Sequence, residues 1–72
     1  MSDPQAPLHE RAHAALDARD YETGMRLARE AVAAEPSSAE AHEVMAEALI
    51  AHDRFTEALG ETEIALARAP NS

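Results

Sequence analysis

Residues 12–36 read AHAALDARDYETGMRLAREAVAAEP, and residues 46–70 read AEALIAHDRFTEALGETEIALARAP. Laid one over the other, Ala12 falls on Ala46, Tyr21 on Phe55 and Ala31 on Ala65. Val32 falls on Leu66, Ala33 on Ala67 and Pro36 on Pro70. Each pair is separated by 34 residues. Self-similarity at a period of about 20–50 residues marks a stack of small supersecondary units.

Each period divides into two helical stretches. The first runs from Leu8 to Ala18, with Pro7 at its first turn, where a missing N–H costs nothing. Arg19-Asp20 makes the turn, and Asp20 is placed to cap a second helix over Tyr21–Ala34. Pro36 ends that helix. Ser37, with Glu40 three residues on, reads as a capping box opening a third helix that runs to Ala51. The turn holds Asp53 and Arg54, and the last helix covers Phe55–Ala69, stopped by Pro70. The predicted fold class is all-α, four antiparallel helices in two helix–turn–helix units. The division is 1–7 as a lead-in, 8–38 as the first unit and 39–72 as the second.

The composition agrees with thin, closely set helices. Apolar residues make up 46% of 72, yet alanine dominates them and the only aromatics are Tyr21 and Phe55. Ala12, Gly24, Ala46 and Ala58 are small where paired helices must approach. Tyr21, Met25, Leu27, Val32, Leu49, Phe55, Ile64 and Leu66 are expected to fill the wider gaps. With no cysteine, no disulfide or thiolate site can reinforce so small a core.

The net charge is −8 and every basic side chain is an arginine. That balance argues against nucleic acid and against anionic membranes, both of which need clustered basic residues. It favours basic or neutral protein partners. No stretch approaches the roughly 18 continuous apolar residues of a membrane span. Met1-Ser2-Asp3-Pro4 lacks the apolar run of a secretion signal, so a cytoplasmic location is expected.

The 34-residue unit resembles the tetratricopeptide repeat, whose pattern is Trp, Leu-Gly and Tyr on the first helix, then Ala, an aromatic, Ala and Pro on the second. The second unit is the closer match, with Met45-Ala46 for Leu-Gly, Leu49 for Tyr, then Ala58, Ala65 and Pro70. Phe55 matches the aromatic that opens the second helix. His42 stands where Trp is usual and Thr62 where an aromatic is usual; His42 is read as a partly buried packing residue. In the first unit Leu8, Ala12, Ala15, Tyr21, Gly24, Ala28, Ala31 and Pro36 fit, while Arg11 fills a normally apolar slot. The resemblance implies a protein-interaction module, an adaptor or self-assembling scaffold, and no enzyme and no cofactor.

It also implies a concave groove lined by the first helix of each unit. Carried over residue by residue, that groove comprises His9, His13 and Leu16 from one unit and Glu40, Glu43, Glu47 and Ile50 from the other. The Lys, Arg and Asn with which such grooves clamp a peptide C-terminal carboxylate are missing. His9 and His13 share a helix face, as do Glu43 and Glu47, and the two pairs are again 34 apart. Imidazoles are therefore expected opposite carboxylates. This arrangement reads as a solvated polar groove, a site for a basic or donor-rich peptide, or a divalent-metal site formed by His9, His13, Glu43 and Glu47. His9-Glu10-Arg11-Ala12-His13 also matches the H-E-x-x-H zinc string, but the repeat context explains it without catalysis.

Two units are few, because repeat units normally bury one another's apolar faces in stacks of three or more. Leu59 and Leu66, seven residues apart, share a face of the last helix for which no further unit follows. Self-association into a homo-oligomer through these leucines is expected. A longer array, a helix supplied by a partner, or inward rotation of the last helix are the alternatives.

Overall fold

The computed structural model describes residues 5–69. Four α-helices make up most of them: α1 (Leu8–Asp17), α2 (Tyr21–Ala34), α3 (Ala39–Ala51) and α4 (Phe55–Arg68). No strand occurs among the described residues. Met1-Ser2-Asp3-Pro4 and Pro70, the expected stop of the last helix, lie outside them.

The turns repeat as the sequence does. Asp20 N–H bonds the Ala15 carbonyl and Arg19 N–H the Leu16 carbonyl, both at 2.9 Å. Thirty-four residues on, Arg54 N–H bonds Leu49 and Asp53 N–H bonds Ile50, again at 2.9 Å. This is the Schellman closure, and it puts Arg19 (φ 64) and Asp53 (φ 60) in the left-handed region. Both residues adopt it without being glycine.

Asp20 caps α2 by accepting from Thr23 N–H at 3.4 Å. The cap of α3 differs from expectation. Ser38, not Ser37, is the N-cap, and its Oγ accepts from Ala41 N–H at 3.2 Å. Glu40 then sits one position too early to complete a capping box and instead accepts from Ser38 Oγ at 3.3 Å. At α4 the N-cap Arg54 makes no cap bond. It forks onto Glu57, Nε to Oε1 at 2.8 Å and Nη2 to Oε2 at 2.6 Å. Those hydrogen bonds hold the Glu57 carboxyl below the usual carboxylate range.

The helices pack as α1 on α2, α2 on α3, α3 on α4, with α1 also beside α3; among the described helices α4 packs on α3 alone. The result measures 32 × 27 × 18 Å. Its core is built of Ala12, Ala28, Ala46, Ala48 and Ala58 with Met25, Leu27, Val44 and Leu49. Leu49 is the largest side chain that is fully buried. Of the expected gap-fillers, Tyr21, Phe55, Ile64 and Leu66 are exposed. The reason is geometric: α4 has one neighbour, so one stripe can be covered and the rest of its apolar residues face water. Tyr21, at the first turn of α2, lies edge-on to the His52 ring with centroids 6.4 Å apart. His52, the C-cap of α3, reaches the Tyr21 carbonyl through Nε2 at 3.3 Å.

The small residues matter for a stated reason. A Cβ added to Gly24 would lie 2.7 Å from Leu16 Cγ, well inside contact distance, whereas one added to Gly60 meets nothing within 4 Å. Helix α2 therefore approaches α1 across a missing methyl group.

His42 is 6% exposed and has both ring nitrogens engaged. Nε2 donates to the Pro36 carbonyl at 2.8 Å, and Nδ1 meets Glu61 Oε1 at 2.7 Å. It is thus a buried bridge between the α2–α3 turn and α4, rather than a packing residue. At the equivalent positions of the first unit stand Leu8, partly buried, and Leu27, buried. One unit joins its helices there with an apolar pair and the other with a polar one.

Two outcomes follow for stability, each measurable by urea unfolding. Gly60→Ala should gain about 1 kcal/mol through helix propensity. Gly24→Ala should lose that gain or reverse it, since overpacking costs about 1–3 kcal/mol. His42→Leu alone should cost about 2–3 kcal/mol by leaving Glu61 half-buried without its partner. Glu61→Leu alone should cost about 1–3 kcal/mol. The double variant, which copies the Leu8/Leu27 arrangement, should return to within about 1 kcal/mol of the parent. Additive losses in the double variant would show that the two residues are not coupled.

Candidate functional site

Helices α1 and α3, the first of each unit, lie side by side and leave a groove of ≈ 360 Å³ between them. Its lining contains Glu10, Asp17, Glu40, Glu43 and Glu47, the imidazoles of His9 and His13, and the side chains of Ala14 and Val44. Five carboxylates and no arginine face this space. Two of the six arginines pair elsewhere, Arg26 with Glu30 at 2.9 Å and Arg54 with Glu57.

The 34-residue spacing of the histidines and glutamates is realised in one of the two pairs. His13 Nδ1 lies 3.0 Å from Glu47 Oε1, joining α1 to α3 across the groove. Its other nitrogen, Nε2, is 3.5 Å from Asp17 Oδ2, one helical turn away on α1. These side chains are about half exposed, so the contacts orient the groove more than they stabilise the fold. No ion pair among the described residues joins His9 to Glu43. His9 Nδ1 is instead shut off from solvent with no hydrogen-bond partner.

Two of the expected groove residues lie elsewhere. Leu16 turns inward, packed against the core and against Gly24 of α2, because the glycine leaves the space for it. Ile50 is exposed and does not line the groove. The apolar contacts come from Ala14 and Val44 instead. Glu10 and Asp17 join the expected carboxylates in the lining; Asp17 sits four residues after His13 on the same face of α1.

As for a metal, among the described residues no group of three or more His, Asp or Glu side chains converges to hold an ion. The four residues considered for it, His9, His13, Glu43 and Glu47, yield one close pair. The groove can accept hydrogen bonds from several directions at once, and its formal charge is negative throughout. At the opposite edge, Leu59 and Leu66 are exposed on α4 with Phe55, and none of the described helices lies over them.

A family model described as tetratricopeptide repeat matches residues 15–72. No curated protein and no solved structure matches the chain. The match spans most of the sequence, begins inside α1 and takes in all of α2, α3 and α4, the elements that carry the 34-residue period. The helix–turn–helix geometry and the match over residues 15–72 agree, and the chain belongs to the tetratricopeptide repeat family.

Proposed function

We propose that this protein is an adaptor that binds a basic or donor-rich segment of a protein partner in the α1/α3 groove. The family is one of protein-interaction modules, which supports the general reading. The observation that carries the specific one is the charge of the groove: five carboxylates and two histidines line it, with no arginine. An acidic peptide would meet repulsion from both walls, and a guanidinium or ammonium would find several acceptors. Val44 and Ala14 offer a small apolar floor, which fits an extended or narrow helical segment better than one rich in aromatics. No helix among the described residues is long and apolar enough to cross a membrane. A cytoplasmic site of action is part of the proposal, as is the absence of nucleic acid among the partners.

Fluorescence anisotropy with a labelled Lys/Arg-containing peptide and its Glu-substituted counterpart tests this reading. The basic peptide should bind at least about tenfold more tightly, and its binding should weaken as salt rises. Glu43→Lys/Glu47→Lys, both at exposed positions, should abolish the preference while leaving the helical circular dichroism unchanged. Equal binding of the two peptides, or an unaffected double variant, would overturn the assignment of the groove.

A further inference from the structure

His13 meets a carboxylate on each wall of the groove. Its Nδ1 lies 3.0 Å from Glu47 Oε1 of α3, and its Nε2 lies 3.5 Å from Asp17 Oδ2 of α1. An ionised carboxylate accepts hydrogen bonds and donates none. A neutral imidazole has one N–H and one bare nitrogen, so it can serve one of these partners and turns a lone pair on the other. An imidazolium has an N–H at each nitrogen and serves both. The arrangement is therefore that of the protonated ring, with the chain's own cation set among the groove's carboxylates.

The other groups that share the groove are nearly all of one sign. From α1 come Glu10, Asp17 and the second imidazole, His9; from α3 come Glu40, Glu43 and Glu47. Helix α2, the other element packed on α1, adds no residue to the lining. No arginine there replaces His13 as a counter-ion. His9 does not duplicate its role, because His9 Nδ1 has no hydrogen-bond partner.

The His13 contacts are exchangeable. The side chains are 55% exposed at His13, 70% at Asp17 and 48% at Glu47, and ion pairs so open to water contribute little to stability. What they do is occupy acceptors. Glu47 and Asp17 are among the carboxylates that a partner's basic side chain would use.

We infer that His13 competes with the basic ligand of this groove, so that ligand and proton exclude one another. The inference rests on the reading of the groove as a site for a basic segment. Protonated, His13 holds Glu47 and Asp17 and adds a positive charge beside them. A guanidinium or ammonium that takes over both carboxylates displaces the imidazolium, and the ring gives up its proton to solvent. Linkage is reciprocal, so each weakens the binding of the other by the same factor. Binding is then weakest where imidazole is charged, tightens as pH rises through the range in which imidazole ordinarily titrates, about pH 5–8, and levels off above it. Free carboxyl groups stay ionised across most of that range. Exchange of one proton limits the slope to about tenfold per pH unit, and the whole gain between about pH 5.5 and 8 to about tenfold.

Fluorescence anisotropy with an N-acetylated, histidine-free Arg/Lys peptide, followed across that range at fixed ionic strength, provides the test. The parent protein should bind about tenfold more tightly at the upper end. Calorimetry near pH 6.5, in two buffers of different ionisation enthalpy, should record release of about half a proton per peptide bound. His13→Gln should bind with the same affinity at both ends, within about twofold, and release no proton. Its position is exposed, so circular dichroism should show it folded. His52→Gln, which lies outside the groove, should keep the parent's dependence. Parent binding that is equally tight at both ends, with no proton released, would overturn the inference and leave the groove assignment standing. So would a pH dependence that persists in His13→Gln. Failure of the basic peptide to bind at any pH would overturn the groove assignment and this inference together.

Discussion

The close approach of α2 to α1 across Gly24 is the constraint on which the rest of the structure depends. Leu16 fits where a Cβ would otherwise be, and Ala12, Ala28, Ala46, Ala48 and Ala58 are small side chains buried in the same core. Helices set this tightly give good van der Waals contact but little buried apolar area per residue. The molecule is consequently thin, 18 Å in its shortest dimension, and Leu49 is its one large side chain that is fully buried. In so slight a core a buried polar bridge such as His42 with Glu61 carries more relative weight than it would in a larger domain.

Much of this was legible in the sequence, because the 34-residue period constrains every position twice. The starts of α1, α2 and α4, the Asp20 cap and the small residues at helix crossings all follow from pattern and local chemistry. So does the His13–Glu47 contact, which spacing alone places across two helices. The start of α3 was displaced by one residue because Ser37 and Ser38 both have the chemistry of a cap, and backbone geometry selects between them. Phe55 is exposed rather than gap-filling, since hydrophobicity does not say whether a neighbour exists, while the exposure of Leu59 and Leu66 follows from their shared face on the last helix. The role of Glu61 was missed, although it lies between Ala58 and Ala65 on the inward face, where a carboxylate has to find a partner.

The groove and the outer side of α4 are chemically opposite surfaces on one small framework. Carboxylates are concentrated between α1 and α3, and exposed apolar side chains on the outer side of α4. The separation is possible because a helix in this packing has more than one usable face: α3 presents Glu43 and Glu47 to the groove while Val44, Ala46 and Leu49 pack in the core. Alanine at so many of the contact positions lets one helix serve several neighbours without steric conflict.

That α4 has a single neighbour also bears on how the molecule comes apart. An element held on one side, with its N-cap unsatisfied by a side chain and one buried polar bridge to the remainder, is the natural place for local opening to begin. Any species that binds α4 in its folded position draws that opening equilibrium back by mass action. The stability of this end is then not a property of one chain in isolation but a function of how much of the covering species is present, so that folding of the last helix and occupancy of its outer face are two readings of the same equilibrium.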